Sequence, residues 1–375
     1  PITISNQIEL KAFRDAVNGG NTYEGDNVTL TANITIDAWD TGINGFAGTF
    51  DGGGFVITLT GSTSLFNTIN EGGTVKNLGV DATINSTSGE NNVGGIATIN
   101  KGTIQCCYVE GMIIHNSSMP GGIVGENKGL IQDCYSTASV TTTDYYAGGI
   151  AGQNFQGTIQ RCYATGAISS KSAGGIAGNG NSANTIQDCI ALNQSIAGGT
   201  GSYAPLRIAA SSDSEQTFDN NYASPAIDGT WSDKGADKKN GADLDKSNFI
   251  GKGVGEGAFA NWSSDNWDFG DNTNLPTLKD FTAAQPVASI TRAKILLKLT
   301  IGTDAELLAF RDAVKAGESY EGLTVTLTAK ITVTGWTEGI GTFKGTFDGQ
   351  GYVINLTGST SLFKQIGEYG SAAGT

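Results

Sequence analysis

The sequence is poor in proline and in charged residues, and it contains no long apolar run. Proline supplies 6 of the 375 residues, and glycine and proline together stay below the level typical of disordered chains. Charged residues make up 15% and hydrophobic residues 38%, which excludes a long-helix protein rich in Ala, Glu, Lys and Leu. No run of 18 apolar residues is present, so we expect no membrane span.

Basic residues are also few. Lys and Arg number 22 against 36 Asp and Glu, which gives a formal net charge of −14 at pH 7. Because nucleic-acid binding needs a basic surface, we expect no nucleic-acid partner. The chain opens at Pro1 rather than Met and shows no export signal, so we interpret it as a mature or trimmed fragment.

Glycine, in contrast, is abundant at 55 positions, and many of the glycines fall in four aligned segments. Each segment joins a Gly-Gly-Ile stretch to a single aligned cysteine, and the four begin near Val93, Pro120, Ala147 and Ala173. The aligned cysteines, which recur at a nearly constant interval, are Cys107, Cys134, Cys162 and Cys189. A period that survives small insertions marks a structural unit, so the chain is predicted to be a repeat protein.

Each repeat contains three short apolar runs and no stretch with helical spacing. Three strands of four or five residues, joined by turns, account for its length. The pattern predicts an all-β fold, a right-handed parallel β-helix with one repeat of about 27 residues per coil and neighbouring strands about 4.8 Å apart. Glycines are expected where the chain turns corners or where only hydrogen fits between coils.

The repeated motif, Gly-Gly-Ile-[Ala/Val]-Gly followed by Thr-Ile-Gln-x-Cys-Tyr, resembles the GLUG repeat. This repeat occurs in bacterial surface and secreted proteins, including non-catalytic regions of IgA-cleaving metallopeptidases. The resemblance covers residues 94–196, with Thr98 in place of a glycine in the first unit, and isoleucine stands in the leucine position at Ile96, Ile123, Ile150 and Ile176. It implies a β-helical display or adhesion scaffold that is extracellular or lies on the bacterial outer surface.

A longer duplication flanks the repeats. Residues 2–69 align without a gap to residues 299–366, with about 42 of the 68 positions identical. Both copies contain Glu-Leu-x-Ala-Phe-Arg-Asp-Ala-Val, whose apolar residues have helical spacing, and Asn6 and Asp304 are candidate N-caps. The motif therefore predicts a short capping helix that plugs the open end of a β-helix.

These patterns divide the chain into a β-helix module, residues 1–281, and the start of a second, duplicated module. The predicted segments are the capping helix and first coils (1–92), four GLUG-type repeats (93–197), an irregular closing segment (198–281), a linker (282–298) and the second module (299–375).

Aromatic residues outside the regular pattern are the candidate binding residues. Trp231, Trp262 and Trp267 lie in the closing segment, where they form either a cap over the last coil or a platform that stacks on sugar rings. Asp144, Tyr145 and Tyr146 lie in the least repeat-like loop of the array, which is either a contact surface or a solvated turn.

The four aligned cysteines are expected to form a buried, reduced ladder. Parallel side chains on stacked coils hold their Cβ atoms too far apart for a disulfide, and free cysteine is a common small buried hydrophobe. A spacing of one cysteine per repeat is too long for zinc ligands, and the sole histidine, His115, lacks a partner motif and is expected on the coil surface. The acidic loops at 233–245 and 265–271 match no calcium-loop pattern, so no metal or cofactor is expected.

Catalytic motifs are also missing. The sequence lacks a His-Glu-x-x-His zinc motif and the acidic motifs of polygalacturonases, and among the acids of the repeats only Asp133 and Asp188 align. We expect a non-catalytic, extracellular or cell-surface scaffold, adhesin-like, that binds host molecules, glycans or other cells. The alternatives are a carbohydrate-active β-helix enzyme, either a polysaccharide lyase or a hydrolase, and a purely structural spacer.

Overall fold

The structure is a computed structural model. It describes residues 2–86, 92–116, 119–180, 183–200, 204–210, 216–227, 229, 231–367 and 371–373. The chain divides into two compact units, residues 1–292 and 293–375.

Strands of the first unit run parallel and form three sheets, one along each side of the coils. The first sheet contains Ile2–Ile4, Asn27–Leu30, Thr49–Asp51, Thr74–Lys76, Thr103–Gln105, Leu130–Gln132, Thr158–Gln160, Asn184–Gln187 and Gln216–Asp219. The second contains Ile43–Phe46, Phe66–Ile69, Ala97–Asn100, Val124–Asn127, Ala151–Asn154 and Ala177–Asn179. The third contains Ile34–Trp39, Val56–Gly61, Gly79–Ser86, Tyr108–His115, Tyr135–Ser136, Ser139–Thr142, Tyr163–Ala164, Ile168–Ser169, Ile190–Ala191, Ile196–Ala197, Tyr222–Ala223 and Ala242–Asp243.

Two short strand pairs lie outside these sheets. Tyr146–Gly148 pairs in parallel with Ser172–Gly174, and Trp267–Asp268 pairs antiparallel with Thr277–Leu278.

The core is built by equivalent residues that stack from coil to coil. In the first sheet these are Ile104, Ile131, Ile159 and Ile186, paired in register and fully buried. Each such side chain contributes roughly 1.5–3 kcal/mol through burial. The isoleucines recur at the interval of the cysteines, so the predicted parallel β-helix with one repeat per coil is confirmed.

Buried asparagines form a second ladder, where the chain passes from the second sheet to the first. Each side-chain amide donates to the carbonyl oxygen of the next, at 2.9, 2.9 and 3.2 Å, along Asn100, Asn127, Asn154 and Asn184. A side-chain amide carries both a donor and an acceptor, so asparagine at the same position of each coil can hydrogen-bond to the asparagine on the next coil.

The predicted capping helix is present and spans Gln7–Asn18. Asn6 is its N-cap, as predicted, because its Oδ1 accepts hydrogen bonds from the N–H groups of Ile8 and Glu9. Leu10, Phe13 and Val17 are buried on the face that covers the first coils, in the helical spacing that the sequence shows.

The equivalent helix of the second unit spans Asp304–Lys315, and here the predicted cap is wrong. Asp304 is the first residue of the helix, and Thr303 is the N-cap. The Thr303 hydroxyl accepts from the N–H of Glu306, while the Glu306 carboxylate accepts from the N–H of Thr303. This reciprocal capping box outweighs the preference of aspartate for the cap.

In the described residues, the remaining helices are the 3-10 turn Gly257–Phe259 and the short helix Arg292–Ile295. In the described part of the chain, no helix is long and apolar enough to cross a membrane.

The second unit repeats the first coils of the first unit in its own parallel strands. These are Thr300–Ile301, Thr324–Leu327, Thr346–Asp348 and Ser371–Ala373 in one sheet, Ile331–Trp336 with Ile354–Gly358, and Ile340–Phe343 with Phe363–Ile366. Ser371 pairs with Thr346 as Thr74 pairs with Thr49, so the constant offset between the two sequence copies extends to this strand.

The predicted irregular segment, 198–281, and linker, 282–298, are both partly wrong. Within this segment, the described residues 204–210, 216–227 and 231–243 continue the solenoid, since Leu206 and Ala209 bridge to the preceding coil and Ala242–Asp243 extends the third sheet. Residues 244–292, here called the flanking segment, belong to the first unit and pack on the side of its solenoid. Val287 and Arg292 are fully buried there, so the unit extends to residue 292.

Candidate functional site

The predicted contact loop projects an aromatic side chain from a regular part of the solenoid. Tyr145 is 42% exposed, whereas Asp144 and Tyr146 are half-buried. The parallel pairing of Tyr146–Gly148 with Ser172–Gly174 brings Lys171 of the next coil beside this loop.

Lys171 connects the loop to the coil that follows it. Its ammonium group lies 4.5 Å from the centroid of the Tyr145 ring and 3.7 Å from Oδ1 of Asp144. The two tyrosine rings are 6.1 Å apart. Asp144, Tyr145, Tyr146 and Lys171 form what we call the tyrosine–lysine cluster, a polar and aromatic surface on a rigid base.

The tryptophans of the flanking segment are not on an open surface. Trp262 and Trp267 are almost fully buried, so the prediction of a sugar-stacking platform is wrong for these two rings. They also do not cover the last coil, because they contact coils in the middle of the solenoid. Trp231 is half-buried against the hydrophobic core, with its indole N–H donating to the Ile227 carbonyl at 3.0 Å.

Trp267 is held by the carboxylate of Asp133. The indole Nε1 donates to Oδ1 at 3.1 Å, and Asn266 donates to Oδ2 at 3.0 Å. Arg161, one coil further on, donates from Nε and Nη2 to the two oxygens at 2.8 and 2.9 Å. These hydrogen bonds raise the pKa of Arg161. Asp133 is therefore fully buried and fully paired.

Asp188, the other aligned acid, has a similar structural role. Asn220 and Asn261 each donate to its Oδ1 at 2.7 Å, and the Trp262 indole donates to its backbone oxygen at 3.1 Å. Both acids occupy the left-handed turn that precedes a buried cysteine, with φ of 51° and 54°. The alignment of the two acids is visible in the sequence, but their partners are not, because these lie far away along the chain.

Beneath the tryptophans lies a ladder of three tyrosines, each of which follows an aligned cysteine. The rings of Tyr108, Tyr135 and Tyr163 stack at 5.1 and 5.0 Å with interplanar angles of 5° and 3°. Tyr135 donates to Oε1 of Gln285 at 3.0 Å, and Tyr163 donates to the Pro276 carbonyl at 2.7 Å. Burial raises the pKa of Tyr108 to about 12, and it also raises the pKa values of Tyr135 and Tyr163.

The aligned cysteines point into the core at one position of the coil. Cys107, Cys134, Cys162 and Cys189 are all buried and all free thiols. The thiols of Cys107, Cys134, Cys162 and Cys189 each donate to the carbonyl oxygen two residues earlier, at 3.1, 3.1, 3.2 and 3.2 Å. Burial raises the pKa of Cys134 and Cys189, which keeps these thiols protonated.

His115 lies at the end of a strand in the third sheet and is buried, so its predicted position on the coil surface is wrong. The alternation of the long strand Tyr108–His115 places it on the inner face. Among the described residues, no group of three or more His, Cys, Asp or Glu side chains could hold a metal ion.

Comparisons with known proteins agree with this architecture. A family model, the GLUG motif, matches residues 143–169, which form one coil and include most of the tyrosine–lysine cluster. A crystal structure from Bacteroides ovatus, described as a candidate immunoglobulin A1 protease, is similar to this chain with a TM-score of 0.61 and 23% identity. The match covers 75% of this chain and 92% of that chain, and at this identity it shows the fold alone. No curated protein matches the sequence.

Proposed function

We propose that this GLUG-containing β-helix repeat protein is a non-catalytic, secreted or surface-exposed scaffold that binds host molecules, glycans or other cells. The observation that carries the proposal is the tyrosine–lysine cluster on a stacked, rigid array. Support for the location comes from the GLUG motif and from the neighbour described as a candidate immunoglobulin A1 protease.

The cluster has the composition of a recognition surface. Tyrosine provides a large, stiff contact area with a polar end, and it is enriched among the residues that dominate binding energy. Lys171 places a positive charge over the Tyr145 ring, and Asp144 adds a negative charge beside Lys171. Since all four residues lie on paired strands or the turn next to them, little conformational entropy would be lost on binding.

The proposed absence of catalysis is supported by the roles of the aligned acids. Glycoside hydrolysis needs two carboxyl groups that face each other across an open groove. Asp133 is buried under Trp267 and paired with Arg161, and Asp188 is capped by Asn220 and Asn261. Both carboxylates serve to fasten the flanking segment.

The experiment is a binding assay of the labelled chain on an array of glycans and host surface proteins. We expect retention on at least one class of ligand, and weakening by about tenfold or more in Tyr145→Ala and in Lys171→Ala. Tyr352→Ala is the matched control, because Tyr352 is also 42% exposed but lies in the second unit. Absence of binding, or equal binding by Tyr145→Ala, would contradict the proposal.

A further inference from the structure

A second surface of the first unit has a regular polar pattern that the tyrosine–lysine cluster does not share. It lies on the outer face of the first sheet, where two side chains per coil point away from the core. One column contains Thr103, Leu130, Thr158 and Thr185, and the other contains Gln105, Gln132, Gln160 and Gln187. We call these two columns the polar strip.

Hydrogen bonds fix the glutamine column. The Nε2 groups of Gln132, Gln160 and Gln187 donate to Oε1 of the glutamine on the preceding coil, at 2.9, 2.8 and 2.8 Å. A glutamine amide has two N–H donors, and the ladder uses one of them. The second N–H of each of these three amides makes no hydrogen bond to a described residue, and these groups recur once per coil at the strand spacing of about 4.8 Å.

The threonine column offers hydroxyl groups at the same spacing. Thr103, Thr158 and Thr185 are half-buried, and their hydroxyls make no hydrogen bond to any described residue. A hydroxyl donates one hydrogen bond and accepts two. Leu130 is the one apolar residue of the strip and interrupts this column.

The polar strip contains no charged residue, although it belongs to a chain with a net charge of −14. Charged residues begin where the strip ends, with the Asp51–Lys76 ion pair on one side and Asp219 on the other.

One cation touches the strip from its edge. Nη2 of Arg161 donates to Oε1 of Gln132 at 3.1 Å, but the buried carboxylate of Asp133 already neutralises this guanidinium. A polyanion would therefore find no uncompensated cation there, and an apolar partner would leave the donors of the strip unsatisfied. A neutral ligand that is rich in hydroxyl groups matches the polar strip in both charge and hydrogen bonding.

We propose that the polar strip binds a neutral, linear polysaccharide along the axis of the solenoid. Sugar hydroxyls would exchange hydrogen bonds with the threonine hydroxyls and with the free N–H groups of the glutamines. Because every coil repeats the same groups, contacts add along the ligand, so long polymers bind and single sugars do not. The inference rests on the proposed function only in that the chain must meet the polymer outside the cell.

The test is affinity electrophoresis of the full chain in gels containing a galactomannan, a mixed-linkage β-glucan or polygalacturonate. We expect retardation by at least one neutral polymer, and a loss of about tenfold in affinity in the triple variant Thr103→Val, Thr158→Val, Thr185→Val. Valine keeps the shape and the strand preference of threonine, and circular dichroism checks the fold. Leu130→Thr, which completes the column, should strengthen retardation.

The matched control is Thr58→Val, Thr60→Val, Thr83→Val, which removes three outward hydroxyls from the third sheet and should leave retardation unchanged. Three results would each overturn the proposal. They are no retardation by either neutral polymer, stronger retardation by polygalacturonate than by the neutral polymers, and unchanged retardation of the triple variant. Tyr145→Ala separates the two proposals. If it abolishes retardation while the triple variant does not, the polymer binds the tyrosine–lysine cluster, and only the polar-strip proposal fails.

Discussion

Asp133 accepts a hydrogen bond at 3.1 Å from the indole of Trp267, which lies 134 residues later in the chain. This contact fastens the flanking segment to the middle of the solenoid. Because Asp133 also pairs with Arg161 of the next coil, one buried carboxylate joins three separate parts of the first unit.

We expect Asp133→Asn to lower the free energy of unfolding by about 2–4 kcal/mol, because it leaves the half-buried Arg161 guanidinium without its carboxylate. Urea unfolding followed by tryptophan fluorescence measures this loss. The control is Asp15→Asn, which breaks the Arg14–Asp15 pair of equal length, 2.8 Å, at an aspartate that is 67% exposed. It should change stability by less than about 1 kcal/mol. Equal effects of the two variants would refute the role given to Asp133.

The tyrosine ladder predicts a loss of stability at alkaline pH. An unfolded tyrosine ionises near pH 10, whereas burial raises the pKa of Tyr108 to about 12 and also raises the pKa values of Tyr135 and Tyr163. Their stabilising contribution is complete below pH 10 and is lost as pH rises above it, by up to about 1.4 kcal/mol per pH unit for each tyrosine.

One group opposes this trend. Burial lowers the pKa of Arg292 to about 10, so the destabilising effect of its charge decreases as pH rises from 10 towards 12.5. Three tyrosines outweigh one arginine, and urea midpoints at pH 8, 10 and 11 should fall. Tyr135→Phe should make the free energy of unfolding fall less steeply with pH, by the contribution of one buried tyrosine. A midpoint that is constant between pH 8 and 11 would show that the ladder is open to solvent.

The boundary of the first unit predicts how truncated chains behave. A chain of residues 1–292 should fold, whereas a chain of residues 1–281, the boundary expected from the sequence, should melt at a lower temperature. Loss of Gln285 leaves the Tyr135 hydroxyl and the backbone N–H and C=O of Leu278 without their partners in the interior. Melting curves followed by circular dichroism compare the two truncated chains. Equal midpoints would show that the first unit ends at residue 281.

The duplicated coils offer a matched pair of core substitutions. Phe66 and Phe363 are equivalent by sequence, and each packs on two phenylalanine rings at 5.3–5.6 Å. Phe66 is fully buried under the next coil, whereas Phe363 is half-buried. We expect Phe66→Ala to cost about 3–5 kcal/mol and Phe363→Ala about 1–2 kcal/mol. Amide hydrogen exchange measures each unit separately, and equal costs would contradict the difference in burial.

The sequence predicted the features that recur or that depend on neighbouring residues. The regular recurrence of the aligned cysteines predicted the β-helix, and the spacing of Leu10, Phe13 and Val17 predicted the capping helix. The stacked cysteines were expected to be buried, because the same residue type at the same position of every coil is typical of an internal ladder.

Features that join distant parts of the chain could not be predicted. Asp133 and Trp267 carry no local signal of their contact, and a tryptophan-rich, aperiodic segment is compatible with an end cap, a platform or a flank. The prediction for His115 was wrong because a shift of one residue in strand register moves a side chain from the outer to the inner face. A single histidine in the sequence does not reveal that register. Thr303 was missed because Asp304 is itself a good N-cap residue.

The central claim is that this solenoid binds extracellular ligands without chemical turnover. The most direct test incubates the chain with the galactomannan, the β-glucan and polygalacturonate, and measures bound protein and newly formed chain ends in the same samples. Our account predicts protein bound to at least one of the two neutral polymers, and an unchanged length of all three polymers. New reducing ends, or the unsaturated ends that a lyase leaves, would contradict it and establish the carbohydrate-active enzyme instead.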